Sequence, residues 1–277
     1  MRKMLAALAF ATTLLSGAAD AGTLVVGGDT TPTFSLNAFD AGNTGNRAFY
    51  DNVRGAATRV VISERSFSPP GFPSFANANL ANFYRETAGV DVVQTAGDIT
   101  TDILAGTGLL VLQFRNDAFA GDEMMAIERY VRSGGSLLLV GEASIINSTL
   151  PAPAFTEGSQ ANAIANGLLA GIGSSIRLND DTIGIVAPTV ATGAAIASDP
   201  LTAGVTSFRY GAATSVSGGK ALFFAPDASG TLKPFFATEM LDAIAVVPEP
   251  TTWAMMIVGV GLVGGATRRR RSAPALA

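Results

Sequence analysis

One unit of about thirty residues limits the folds open to this chain more than any other feature. An apolar run at 109–114 (LLVLQF) is followed by a helical pattern over 122–132. Gly134-Gly135 separates that pattern from a second apolar run at 136–140 (SLLLV). An apolar strand, a helix and a second apolar strand within this length are typical of a βαβ crossover. We therefore predict a parallel sheet that is buried on both faces.

The same alternation extends along most of the chain. Further strands are predicted within 22–34 and at 59–63, 90–94 and 220–225, with short extended segments at 176, 182–186 and 194–196. Helices are expected at 45–53, 77–87, 99–104 and 160–172, and a mixed segment at 234–244 is expected to hold a final helix. Together these segments predict an α/β fold of three layers around a mostly parallel sheet.

The first 21 residues have the pattern of a secretory signal peptide. Arg2 and Lys3 are followed by an apolar run, and small residues, Ala19 and Ala21, stand two apart before the expected cut. This order predicts export through the Sec machinery and cleavage after Ala21. The mature protein then begins at residue 22.

The C-terminal segment, 248–277, combines three elements in a fixed order. Pro248-Glu249-Pro250 comes first, an apolar stretch with Trp253 comes next, and four arginines, Arg268, Arg269, Arg270 and Arg271, follow. The prolines keep the motif extended. We predict a transmembrane helix at 251–267, with the arginines on the cytoplasmic side. A plain C-terminal anchor is the alternative interpretation.

This ordering resembles the PEP-CTERM sorting signal. The resemblance implies a Gram-negative bacterium in which an exosortase recognises the tail and cuts near Pro248-Glu249-Pro250. It also implies an association with exopolysaccharide and a final position at the cell surface or in the matrix. Before processing, the chain would be anchored in the inner membrane with 22–247 on the periplasmic side.

Composition excludes several kinds of chemistry. The chain has no Cys and no His, which excludes disulfides, thiol nucleophiles, imidazole ligands and Ser-His-Asp or Cys-His catalysis. Residues 22–247 carry 12 basic and 20 acidic residues, a formal charge of −8. Such a charge works against binding to nucleic acid. We predict no cofactor and no metal centre.

The predicted order of elements also resembles the class I glutamine amidotransferases. The resemblance is carried by 59–63, 109–114, the helix at 122–132 and 136–141, together with Ser198-Asp199-Pro200-Leu201-Thr202-Ala203-Gly204-Val205. It implies a flavodoxin-like fold for the extracytoplasmic domain at 22–247. Active members place a Cys on a tight turn after a central strand. Here Glu142 has the elbow-like position, so the resemblance implies no glutaminase activity.

Three polar residues follow buried strands and form a candidate ligand site. Asn116 and Asp117 come after 109–114, and Glu142 comes after 136–140. The carboxyl ends of parallel strands meet at one sheet edge, where ligands bind in open α/β sheets. Two carboxylates there could act as acid and base, as in glycosidases. The favoured alternative is that Asp117 caps a turn and that Glu142 is solvated or pairs with an arginine. We assign no catalytic residue.

From these features we expect an exported, non-enzymatic surface or matrix protein that acts by interaction. One alternative is a divergent hydrolase with Glu142 and Asp117 in its site. Another is a glycan-binding module, for which Phe67, Phe72 and Phe75 around Pro69-Pro70 offer an apolar lip, although these rings could equally pin a loop to the core.

Overall fold

The computed structural model describes residues 22–34, 36, 44–66, 73–146, 156–184 and 189–242. The strands are β1 (Gly22–Gly27), β2 (Arg59–Ser63), β3 (Asp91–Thr95), β4 (Leu109–Gln113), β5 (Ser136–Val140), β6 (Arg177–Leu178), β7 (Thr189–Thr192), β8 (Ser207–Tyr210), β9 (Val216–Ser217), β10 (Lys220–Pro226) and β11 (Leu232–Leu241). The α-helices are α1 (Thr31–Phe34), α2 (Thr44–Arg54), α3 (Pro73–Arg85), α4 (Thr101–Leu104), α5 (Gly121–Arg132) and α6 (Glu157–Gly171). Gly193–Ala195 and Pro200–Thr202 form 3-10 helices.

Seven of these strands form one mixed sheet in the order β10-β11-β1-β5-β4-β2-β3. The five strands from β1 to β3 in this order are parallel to one another. β11 pairs antiparallel with β1 on one side and with β10 on the other. The prediction of an α/β fold with a large, mostly parallel sheet is therefore confirmed.

The βαβ unit that opened the sequence analysis lies at the centre of the sheet. β4 and β5 pair in parallel from Leu109↔Ser136 to Gln113↔Val140, and α5 connects them. Every residue of β4 is buried, which explains its continuous apolar run. Gly135 follows α5 where an added Cβ would lie 2.3 Å from the ring of Tyr130, so the ring packs on a residue without a side chain.

Helices cover both faces of the sheet. On one face α2 and α3 pack together with β8, and the core there includes an aromatic cluster: Phe49, Phe208, Phe223, Phe235 and Phe236. On the other face α5 and α6 pack through Ile127, Val131 and Leu168. The three-layer arrangement follows because the central strands β1, β2, β4 and β5 bury side chains on both of their faces.

Two local predictions are wrong. The final helix expected at 234–244 is the strand β11, and the extended segment expected at 194–196 is largely the 3-10 helix Gly193–Ala195. Phe235 and Phe236 are both fully buried, since the two faces of β11 are covered. A strand covered on both faces lacks the alternation that distinguishes strands from helices in sequence.

Some predicted segments lie outside the described residues. These are the signal peptide at 1–21 with Ala19 and Ala21, the motif Pro248-Glu249-Pro250, the helix at 251–267 and the arginines at 268–271. Among the residues that are described, no helix has the length and apolar character needed to span a membrane.

Candidate functional site: the carboxyl edge of the sheet

Four neighbouring parallel strands end side by side, and the residues after them form the candidate site. β1, β5, β4 and β2 end at Gly27, Val140, Gln113 and Ser63. Two polar groups follow these ends. The carboxyl pair is Asp29 and Glu142. The arginine cluster is Arg65, Asp98, Arg115, Asp117 and Glu123.

Asp29 follows β1 and is fully buried. Its Oδ1 accepts a hydrogen bond from the N–H of Thr31 (2.7 Å), and its Oδ2 accepts one from the N–H of Gly211 (2.6 Å). Asp29 thereby ties the loop after β1 to the end of β8. An added Cβ at Gly28 would lie 1.9 Å from the carbonyl oxygen of Thr214, so only glycine fits at this position.

Glu142 follows β5, the strand next to β1, and is 2% exposed. Its Oε2 accepts hydrogen bonds from the hydroxyl of Thr30 (2.6 Å) and the N–H of Thr30 (3.2 Å). Its Oε1 accepts the N–H of Ala143 (2.9 Å). The side chain of Asn162 on α6 bonds both the N–H and the carbonyl of Glu142, which fixes the backbone of the loop.

The surroundings raise the pKa of both carboxyl groups. Burial is the main cause for Glu142, and the charge of Asp29 adds to it, so the pKa of Glu142 rises from 4.5 to about 8. Burial raises the pKa of Asp29 from 3.8 to about 6, against the opposing effect of the N–H of Gly211 and of the hydroxyl and N–H of Thr31. At neutral pH the pair therefore carries one proton and one negative charge.

The arginine cluster follows β2 and β4 and has a different composition. Arg115 is buried, and its Nη2 donates to both carboxylate oxygens of Glu123, each at 2.9 Å. Glu123, in the first turn of α5, also accepts the N–H of Ile99. Burial lowers the pKa of Arg115, and the charge of Glu123 opposes that shift. This ion pair joins β4, α5 and the loop after β3.

Arg65 and Asp117 lie on the more exposed side of the arginine cluster. Asp117 accepts a hydrogen bond from Nε of Arg115 (2.8 Å) and pairs with Arg65. Arg65 also pairs with Asp98. Each charged group of the cluster thus has an oppositely charged partner within it, and the formal charge of the cluster, two arginines and three carboxylates, is −1.

The strained backbone after a central strand lies at Phe114, which has φ of 48°. Among the described residues the one other non-glycine residue with positive φ is Asp180, so Glu142 does not occupy a left-handed turn. The elbow-like position expected at Glu142 is therefore wrong. Arg115 follows this left-handed residue directly after β4. Its guanidinium donates hydrogen bonds to the hydroxyl of Ser63 on β2 and to the carboxylate of Glu123 on α5.

The structure brings the predicted residues to one edge but separates them into different groups. The charge of Asp29 acts on Glu142, whereas Asp117 forms ion pairs with two arginines. Asn116 donates to the carbonyl of Ser66 and braces the loop after β2. Asp117 and Glu142 share no hydrogen-bond or ion-pair partner among the contacts described. Asp117, which was expected to cap a turn, forms ion pairs with Arg65 and Arg115. The favoured alternative expected Glu142 to be solvated or paired with an arginine, and it is neither.

Sequence reasoning missed five residues of the carboxyl pair and the arginine cluster: Asp29, Arg65, Asp98, Arg115 and Glu123. Asp29 follows β1 as Glu142 follows β5, and that shared position was a usable signal. Glu123 begins a helix, where an acidic residue is common for electrostatic reasons alone, and this hid its buried ion pair.

Elsewhere in the described residues, the evidence for a ligand site is weaker than at the carboxyl edge. A groove of about 570 Å³ is lined by residues within 193–206. It includes Asp199, which caps the 3-10 helix at Pro200–Thr202 and pairs with Lys220 at 2.6 Å. Within the described ranges, no group of three or more acidic side chains is placed to hold a metal ion.

Comparison with known proteins identifies the C-terminal segment. Residues 246–271 match the PEP-CTERM protein-sorting motif. The α/β domain thus belongs to a chain that carries a PEP-CTERM signal. This signal implies export, a membrane-anchored C-terminus and processing by an exosortase. No curated protein matches the sequence.

Two solved structures are similar to parts of the chain. One, described as MppP soaked with the product 2-ketoarginine, has 14% identity and a TM-score of 0.30, and the match covers 55% of this chain and 36% of that one. The other, the mmIFT52 N-terminal domain, has 15% identity and a TM-score of 0.43, and the match covers 63% of this chain and 81% of that one. Neither likeness supports the amidotransferase resemblance, and neither bears on function.

Proposed function

We propose that this chain is a non-enzymatic protein of the cell surface or extracellular matrix, associated with exopolysaccharide in a Gram-negative envelope. The match of residues 246–271 to the sorting motif carries the proposal. The Sec machinery would export the chain, and an exosortase would cut near Pro248-Glu249-Pro250. Until then Arg268–Arg271 would hold the tail on the cytoplasmic side.

The carboxyl edge supports a role without catalysis. Glu142 and Asp29 are buried under their own loops, and the arginine cluster pairs its charges internally. Side chains arranged in this way hold loops together. The domain is acidic, and its surface rather than a pocket would meet a partner.

The experiment that tests sorting is mass measurement of the protein in cell fractions of its native host. We expect to find the wild-type protein outside the cell without its tail. Its mass should be that of a chain whose last residue lies near 248. Replacing Pro248, Glu249 and Pro250 by alanine should leave the tail in place and keep the protein in the membrane fraction. Thr251→Ala with Thr252→Ala is the matched control, because it changes the adjacent residues and leaves the motif intact.

Two outcomes would contradict the proposal. Wild-type protein that keeps its tail in the membrane would make it a plain anchored periplasmic domain. Release of the alanine variant at the wild-type level would show that the motif does not direct processing. Replacing Arg268–Arg271 by alanine tests the last element separately, and we expect reduced processing because the tail loses its cytoplasmic anchor.

A carboxylate-dependent hydrolase is a second candidate, and the carboxyl pair is the observation in its favour. A protonated Glu142 beside an ionised Asp29 has the charge states of an acid and a base. Burial of both groups opposes this candidate, because a glycan cannot reach them in the described structure. Release of reducing ends from host exopolysaccharide by the purified protein, abolished by Glu142→Gln but not by Asp122→Asn, would establish it and overturn the non-enzymatic proposal.

A glycan-binding module is a third candidate and rests on Phe75. This ring is 56% exposed on α3, directly after the segment that holds Phe67 and Phe72. Phe67 and Phe72 lie outside the described residues. Co-sedimentation of the protein with host exopolysaccharide tests this candidate. Binding that Phe75→Ala weakens at least tenfold, while Met125→Ala leaves it unchanged, would support it, and equal binding by both variants would exclude the lip as the site.

A further inference from the structure

The two outer strands of the seven-stranded sheet, β10 and β3, differ in how their free edges are protected. β10 begins with Lys220 and ends with Pro226, and its register with β11 shifts within the strand. Two residues outside the sheet also donate to it: the N–H of Ala197 bonds the carbonyl of Leu222, and the N–H of Gly184 bonds that of Pro226 (2.9 Å each). Lysine, proline, bulges and covering segments prevent an edge strand from pairing with another chain.

The edge strand β3 has none of these features. Its five residues, Asp91–Thr95, contain no lysine or proline and pair with β2 in unbroken register. At the two ends of the strand, the N–H of Asp91 and the carbonyl of Thr95 bond toward β2. Because backbone groups alternate in direction along a strand, the N–H and C=O of Val92 and Gln94 point away from β2. No group in the described part of the chain bonds to them, so β3 presents two donors and two acceptors at an open edge.

We propose that this open edge pairs with the same edge of a second copy of the chain, antiparallel and about a two-fold axis at Val93. In this register Val92 stands opposite Gln94 of the second copy, and Gln94 stands opposite Val92 of the second copy. Each of these pairs exchanges two N–H···O=C bonds, so the outward groups of both strands are all satisfied. The assembly closes at two copies, because a two-fold contact uses the same edge of each. This inference is independent of the proposed sorting function.

The side chains of β3 also fit a second copy. Val93 is partly buried and would meet its equivalent on the axis. Asp91 would stand opposite Thr95 of the second copy, whose hydroxyl accepts the N–H of Gly97 and keeps its own proton to donate to the carboxylate. Asp91 is the one charged residue of β3 and pairs with Arg59, so no like charges face each other across the strand pair. This self-complementarity favours a second copy over an unrelated strand.

The first test is single-cysteine cross-linking, which is direct because the chain has no cysteine of its own. Opposite residues of a non-hydrogen-bonded antiparallel pair have Cα atoms about 4.5 Å apart, a distance that a disulfide spans. In protein purified from its host, Val93→Cys should therefore form a covalent dimer on mild oxidation.

Gln94→Cys is the matched control for the cross-linking. Residue 94 of the second copy lies two positions along the strand from the residue opposite Gln94, at a Cα distance of about 8–9 Å. A disulfide does not span this distance, so we expect cross-linking at least tenfold slower than with Val93→Cys. Equal rates at the two positions, or no covalent dimer from Val93→Cys, would overturn the proposal.

The second test uses proline, which removes an outward N–H and places its ring at the edge. Sedimentation velocity of the wild-type protein between about 1 and 300 µM should show the mass rising from monomer to dimer. Gln94→Pro should stay monomeric over this range. Gln94→Ala should dimerise as the wild type does, because it loses the same side chain and keeps the N–H.

Two results of the sedimentation experiment would overturn the proposal. A wild-type protein that is monomeric throughout would leave the edge to a strand of another protein. A dimer that persists in folded Gln94→Pro would place the contact on another surface. If Gln94→Pro fails to fold, the cross-linking rates at residues 93 and 94 decide the question.

Discussion

Two glutamates at the carboxyl edge, Glu123 and Glu142, are equally buried, at 2% exposure each, and have opposite surroundings. Glu123 faces the guanidinium of Arg115 through two hydrogen bonds. Glu142 faces another carboxyl group, Asp29, and its donors are neutral N–H and O–H groups. Burial alone therefore does not decide what a carboxyl group does. The charge of its neighbour decides whether the group forms an ion pair or keeps its proton.

The largest expected loss of stability comes from breaking the ion pair between Arg115 and Glu123. Glu123→Gln leaves Arg115 buried with its main counter-charge removed, and we expect a loss of about 3–5 kcal/mol in the free energy of unfolding. Urea unfolding at pH 7 measures it. A loss under about 1 kcal/mol would mean that Asp117 alone compensates Arg115, and the contrast between the two glutamates would disappear.

Asp29→Asn should cause the next largest loss in the free energy of unfolding. The asparagine can present one oxygen, so its NH2 group must face the N–H of either Thr31 or Gly211. One buried donor then lacks an acceptor, and we expect a loss of about 1–3 kcal/mol at pH 6. The same urea measurement tests this, with Asp122→Asn as the exposed control. Wild-type stability would indicate that the loop relaxes around the amide.

Glu142→Gln should lower the free energy of unfolding by less than Asp29→Asn does, although both residues belong to the carboxyl pair. The amide oxygen can keep the N–H of Ala143, and the NH2 group can donate to Oγ1 of Thr30. Only the longer bond from the N–H of Thr30 (3.2 Å) is then lost, so we expect a loss of about 1 kcal/mol or less at pH 6. At pH 9 the variant should be more stable than the wild type, because it cannot acquire the second charge. A variant weaker than the wild type at both pH values would contradict this account.

The smallest effect is expected at Glu128, which pairs with Arg132 one helical turn away on the surface of α5. Glu128→Gln removes a partly exposed ion pair, and we expect a change of about 0.5 kcal/mol or less, which 0.5 M NaCl should reduce further. A loss comparable with that of Glu123→Gln would show that helix destabilisation, rather than the buried charge, explains the larger effect.

The main strands and helices were predictable because their patterns are local. The two largely apolar runs of β4 and β5, with the helical pattern of α5 between them, predicted a parallel pair, and the structure confirms it. β11 was not predictable as a strand, because both of its faces are buried and it shows no alternation. Its place between β10 and β1 depends on pairing across more than 200 residues, which no local pattern encodes.

The candidate site was predictable in place but not in composition. The rule that polar residues after parallel strands meet at one edge located Asn116, Asp117 and Glu142 correctly at that edge. It could not tell which of them touch, because strand order decides this. β1 is the neighbour of β5, so Glu142 meets Asp29, and β2 is the neighbour of β4, so Asp117 meets Arg65.

The sequence by itself determined the α/β class, the central crossover and the exclusion of thiol and imidazole chemistry. It also determined the C-terminal sorting motif, since that signal consists of the order of residues along the chain. Only the tertiary structure decided that one buried glutamate meets an arginine and the other meets an aspartate. The physical reason is that a carboxyl group responds to charges a few ångströms away, and folding brings those charges from distant parts of the chain.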